Sequence, residues 1–200
     1  GSKEADEFRK SLVMSGNAAG ASVAQLAGMA ETVGSAYGKT TGAAASAIAA
    51  LAATGEVGRA NLAGFADVAI DAERKLGISV ADIAKHFADL GKDPAAASLR
   101  LNESMRYLTA STYEAIKAAQ DMGQTTKAAQ IAQEAYANAI KSRAAEVAAN
   151  AGTIEKAWSG IKAAAAGAWD AMLGVGRPVT VGAQLSAAQK NLEAALEKRK

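Results

Sequence analysis

Helix signals follow one another along this chain with little between them: a Ser, Thr or Asp cap, apolar residues stepping by three and four, then a glycine. Each repetition confines the chain to another short helix. Ser22 stands three residues before Gln25, the capping-box spacing in which each side chain satisfies a free backbone N–H. Val23, Leu26, Ala30, Val33 and Tyr37 then mark one buried face. Glycines at 38 and 42 bracket a break, and a second helix, from about Gly42 to Thr54, carries Ile48 and Leu51 before Gly55 and Gly58 end it. A third, about Arg59 to Leu76, has its stripe at Leu62, Phe65, Ala69, Ala72 and Leu76. Asp71 and Lys75 pair on its outer face, and Gly77 stands where a left-handed C-terminal residue belongs.

Ser79 and Asp82 open a fourth helix, whose inward face is Val80, Ile83, Phe87 and Leu90 and which stops at Gly91. Pro94 after Asp93 starts a fifth, because proline lacks an N–H that would have no partner there anyway; Leu101, Met105 and Leu108 are its apolar contacts. Ser111 with Glu114 caps a sixth, Ile116 faces inward, and Gly123 turns the chain. A long helix from about Thr126 to Ala149 is expected to bury Ile131, Ala135, Ala139 and Val147 and to end at Gly152 and Thr153. Ile154, Trp158, Ile161, Ala165, Trp169 and Met172 form the most regular stripe of all.

The ends are less patterned. Residues from Lys3 to Met14 read as the frayed end of a helix, and Ser15, Gly16, Asn17 and Gly20 as a loop. Gly1 and Ser2 look like the scar left by tag removal. Beyond Gly174 and Gly176, Pro178 disfavours helical geometry at Arg177, Val179 to Val181 reads as irregular, and an amphipathic helix with Leu185, Leu192 and Leu196 runs from about Ala183. The expectation is therefore an all-α class: a compact multi-helix domain of small-residue-rich helices over 3–176, then a linker and an amphipathic helix over 177–200, suited to the start of a coiled coil.

Composition narrows the function. Half of the residues are hydrophobic but only 4% are aromatic, so alanine supplies much of the core and helices can approach closely. Twenty-two basic and 20 acidic residues, net +2, offer no surplus for specific nucleic-acid binding. Without cysteine there is neither a disulfide nor a thiolate metal site. The uncharged stretch from Thr40 to Gly55 falls short of the roughly 20 residues a spanning helix needs, so no stable membrane span is expected. Its Ala/Gly-rich character leaves a membrane-active segment as a further reading.

Residues that could carry chemistry have plainer readings. Gly34 to Thr40 resembles a phosphate-cradling loop, but three residues separate its glycines where four are needed and no strand precedes it. A helix ending at Tyr37 and Gly38 accounts for it better. His86, with Asp82 four before and Asp89 three after, could lean toward a metal ion; as the only histidine it is better read as a helix flank. Asp67 and Asp71 could form a carboxylate pair, yet solvated helix charges are the simpler reading. No nucleophile–base pair is apparent, so neither catalytic residues nor a cofactor or metal is assigned. Trp158, Ile161, Trp169 and Met172 are a candidate surface, either core packing or an aromatic anchor for a partner. Gly123, Ala128, Ala132 and Ala135 echo the small-residue spacing of a tetratricopeptide hairpin, once and without a 34-residue repeat.

Several runs of residues carry a family resemblance: Leu101 to Glu103, Tyr107 to Ala118, Gly123 to Ala129, Lys141 to Ala144, Gly152 to Trp158, Ala168 to Leu173 and Gly176 to Pro178. Together they resemble the tail tape measure protein of lambda-like siphophages and prophages, closely over about Ser98 to Pro178. Upstream the likeness is looser, through Ser15 to Gly20 and Val80 to Pro94. The resemblance implies a mostly helical, non-enzymatic structural protein of the virion tail that nucleates tail assembly in the host cytoplasm and sets tail length. Its implied partners are the tail tube protein and tail assembly chaperones, with self-association as a further expectation, and it leaves the tail when DNA is ejected. A helical-hairpin binding module without a ruler role is the alternative.

Overall fold

The uncharged segment between Lys39 and Glu56 lies at the heart of the hydrophobic core. A computed structural model describes residues 2–174, apart from the side chain of Tyr37 and those of most residues from 154 onward. Among the described residues there are eight α-helices and no strand. They are α1 (Ser2–Met14), α2 (Val23–Tyr37), α3 (Thr41–Ala53), α4 (Arg59–Asp71), α5 (Val80–Lys92), α6 (Pro94–Met105), α7 (Ala110–Asp121) and α8 (Thr125–Gly174). The chain divides into two compact units, Gly1–Asn150 and Ala151–Lys200. The first contains the core.

Within that unit α3 packs against α1, α2, α4 and α5. Ala44, Ala45, Ala47, Ile48, Ala49, Leu51 and Ala52 are all buried, so the helix is enclosed almost all round. A helix apolar on every side is stable only when covered on every side, which explains why its sequence carries no charge. Small side chains let its neighbours approach, while Leu26 and Val33 from α2, Leu62 from α4 and Phe8 from α1 fill the intervening space. The Ala/Gly-rich stretch considered for membrane activity is thus core helix, and no helix among the described residues is long and apolar enough to cross a membrane.

Most helix starts fall where the caps indicate. Ser22 and Gln25 form a reciprocal capping box, Ser79 accepts the backbone N–H of Asp82, and Asp93 caps α6 with Pro94 at its first position. Each such cap is worth about 1 kcal/mol. The α1 segment, expected to be frayed, is a regular helix held to α3 by its buried Phe8 and Ser11. Two starts and stops differ from expectation. Thr109, not Ser111, caps α7, accepting the N–H of Thr112 at 3.2 Å. Helix α4 ends in a π-helical turn, Ala72–Leu76, closed by Gly77 at φ 71°. There the N–H of Gly77 reaches the carbonyl of Ala72.

The register of α8 is shifted from the expected one. Ala128, Ala132, Tyr136, Ile140 and Ala144 are the buried row, whereas Ile131, Ala135 and Ala139 are half-buried and Val147 is 42% exposed. Alanines flank the true stripe on both sides, so periodicity alone assigns no unique face. The tyrosine, large enough to need the core, decides it. The helix also passes through Gly152 and Thr153 without the expected break. A glycine inside a helix costs only about 1 kcal/mol relative to alanine, which favourable neighbours can offset. The features expected at Arg177, Pro178, Val179 to Val181 and the helix from Ala183 lie outside the described residues.

Candidate functional site

Three elements meet at Tyr136, the largest fully buried side chain among the described residues. Its ring lies edge-on to Phe87 of α5 at 5.5 Å, to His86 at 5.5 Å and to Tyr107, in the α6–α7 connection, at 5.9 Å. Phe87 in turn stacks on Phe65 of α4, with centroids 4.2 Å apart and planes within 6°. Edge-to-face and offset arrangements suit the ring quadrupole, each pair adding about 0.5–1.5 kcal/mol beyond its buried area. This junction gathers aromatic residues from α4, α5, α8 and a loop in a chain poor in them.

Polar groups tie the same junction together. The Tyr136 hydroxyl lies 2.6 Å from Nδ1 of His86. One turn earlier, Gln133 is only 3% exposed and donates both Nε2 hydrogens to backbone carbonyls, of Phe87 at 2.9 Å and of Glu56 at 3.0 Å. One amide therefore joins α8, α5 and the α3–α4 connection. That connection presses on α5 so closely that a Cβ placed on Gly91 would stand 2.5 Å from Cβ of Glu56. Further along α8, Arg143 donates to the carbonyl of Met105. Beside Gln133 a cavity of about 470 Å³ is lined by Glu56, Asn61, Thr125, Thr126 and Gln130, among others.

Burial dominates the titration of these groups. It pushes the Tyr136 phenol far above its ordinary value and holds His86 below its own, although Asp82 and Asp89 pull the imidazole the other way. Asp82 is engaged by the Ser79 hydroxyl at 2.7 Å, and among the described residues no cluster of three or more His, Asp or Glu is arranged to hold a metal ion. Burial likewise raises the Tyr107 phenol, against a lowering by the Ser98 hydroxyl; neither oxygen has a partner in good hydrogen-bond geometry.

A second polar cluster lies at the π-helical turn. Lys39, whose side chain is 7% exposed, donates to Asp71 and stands 3.8 Å from Asp67, while Lys75 donates to Asp71 at 2.8 Å. Asp67 and Asp71 are thus not solvated helix charges, since Asp67 is buried and Asp71 half-buried. Desolvation raises the carboxyl of Asp67. For Asp71 burial acts in the same direction but the hydrogen bonds from Lys39 and Lys75 prevail, leaving it low. The apparent phosphate loop is therefore a helix junction. Gly38 ends α2 in the left-handed region, Thr40 caps α3, and the lysine between them faces carboxylates rather than a phosphate.

Of the residues singled out from sequence, His86, Asp67 and Asp71 occupy polar junctions of the core. The side chains of Trp158, Ile161, Trp169 and Met172 lie outside the described residues. Tyr136 and Gln133 were missed, and Lys39 was weighed only as part of a phosphate loop, not as the partner of Asp71. Tyr136 could have been found as the one aromatic residue on an alanine-rich stripe; the partners of Gln133 are 46 and 77 residues away and leave no local signal.

Comparisons with known proteins agree with a structural rather than a catalytic reading. Residues 1–117 match the family model described as prophage tail length tape measure protein, falling mainly on the half where the sequence likeness was looser. A tape measure protein of Escherichia phage N15 is 29% identical over 187 residues, covering 90% of this chain and 21% of that protein. Those of Escherichia phage lambda and Pseudomonas phage PAJU2 are each 28% identical, over 181 and 162 residues, covering 90% and 81% of this chain but 21% and 18% of theirs. The chain thus spans about a fifth of the length of these curated relatives. No solved structure matches. With 117 of its 200 residues matched, the chain belongs to the prophage tail length tape measure protein family.

Proposed function

We propose that this chain is a folded module within a tape measure protein, a structural component of the virion tail that as a whole acts in tail assembly and length determination. The family match over residues 1–117 carries that reading. A ruler converts residue number into length at about 1.5 Å per residue only if its chain is an extended helix. Helices α1 to α7 are short, with α1, α2, α4 and α5 packed about α3 and α6 and α7 added through α5, so this region suits an assembly or docking role better than a measuring one. In the same reading the helical part runs over 3–176, followed over 177–200 by a linker and an amphipathic helix where extension begins. The tail tube protein and assembly chaperones are the proposed partners, met in the host cytoplasm, and Trp158, Ile161, Trp169 and Met172 are the proposed contact surface.

In-frame deletions in the parent protein, with tail length measured by electron microscopy, test this. Tails of unchanged length after deletions within residues 22–124 are expected. Shortening near 1.5 Å per deleted residue would instead make the region part of an extended ruler.

A further inference from the structure

We propose that the His86–Tyr136 hydrogen bond is a proton-sensitive latch: protonating His86 loosens residues 125–144 of α8 from α5 while the α1–α4 assembly stays folded. The geometry carries the first step. Tyr136 is fully buried, and Nδ1 of His86, 2.6 Å away, is the partner of its hydroxyl. In neutral imidazole one nitrogen donates and the other accepts, so a buried phenol beside Nδ1 selects the tautomer with its proton on Nε2. In imidazolium both nitrogens donate. The phenol oxygen can then accept from Nδ1, but its own hydrogen is left in the core without an acceptor, and an unsatisfied buried donor is costly.

The charged groups acting on the pair are Asp82, Asp89 and Lys85 on α5, with the phenols of Tyr136 on α8 and Tyr107 in the α6–α7 connection. Both acids favour the imidazolium, and burial outweighs them, so the fold prefers neutral His86. The sign follows. A histidine held below its ordinary 6.5 contributes stability that is present above that pH and lost as pH falls through the folded-state value.

Loosening is local because of how α8 is held. Besides Tyr136 and Ile140, its buried row is alanine, and each methyl contributes little apolar area. The core around α3 has Leu26, Ile48, Leu51 and Leu62 fully buried, and the polar cluster beside it holds the carboxyl of Asp71 low through Lys39 and Lys75, so those bonds persist where a histidine is protonated. Openings of this kind are sub-global, and amide exchange resolves them.

The test is hydrogen exchange on the full chain at pH 7.5 and 5.0, corrected for intrinsic rates. Protection of amides 128–140 is expected to fall by about tenfold at the lower pH, with those of α3 unchanged. In His86→Gln, which can accept the phenol hydrogen without titrating, the fall should vanish; in Tyr136→Phe, which has no phenol to strand, it should shrink. The proposal is overturned if wild-type protection is the same at both pH values, if His86→Gln or Tyr136→Phe shows the full fall, or if α3 and α8 lose protection together.

Discussion

Helices α3 and α8 draw on the same alanine-rich vocabulary, yet they are held in place in opposite ways. Helix α3 is enclosed by four others and needs no polar handle, since apolar contact on all sides leaves it nowhere else to go. The first part of α8 presents one buried row and is located by specific hydrogen bonds from Gln133, Tyr136 and Arg143. An alanine row repeats too evenly to define a register, because a shift of one turn would bury much the same surface. Enclosure supplies stability in the first case, and buried polar groups supply position in the second.

That contrast can be broken most directly at α3. Truncating Leu51 to alanine removes a fully buried side chain from a tightly covered helix and should cost about 2–5 kcal/mol, read as a large fall in melting temperature of the whole unit. A loss below about 1 kcal/mol would mean that α3 is not the organising core helix. Gly91→Ala should cost about 1–3 kcal/mol, since its new Cβ would meet the Cβ of Glu56 rather than a movable side-chain tip. Wild-type denaturant stability for this variant would show that the connection is free to retreat.

Gln133→Leu sharpens the other side. It keeps the bulk but deprives two carbonyls of a donor, for an expected cost of about 1–3 kcal/mol, with exchange protection lost chiefly in α8. Equal loss in α2 and α3 would argue against a locating role. Ser22→Ala removes the capping box of α2 and should cost about 1 kcal/mol. Ser98→Ala is expected within about 0.5 kcal/mol of wild type, because its buried hydroxyl has no well-formed hydrogen bond to lose. A clear destabilisation by chemical denaturation would reveal a partner for that oxygen.

The sequence by itself determined the helical class, the caps at Ser22, Ser79 and Asp93 and the stripes of α2 to α5, because these depend on residues within one or two turns of each other. It also carried the family kinship that residues 1–117 establish. It misread α8, where alanine on neighbouring faces made the period ambiguous, and it placed the α7 cap two residues late, because Thr109 and Ser111 are chemically alike. Only the tertiary structure decided that Asp67 and Asp71 share Lys39, that Gln133 spans three elements, and that His86 serves a tyrosine 50 residues away. Those pairings join residues far apart along the chain. Local propensity has no term for such partners; they are chosen when packing around α3 brings the remaining polar groups within reach and leaves them no water.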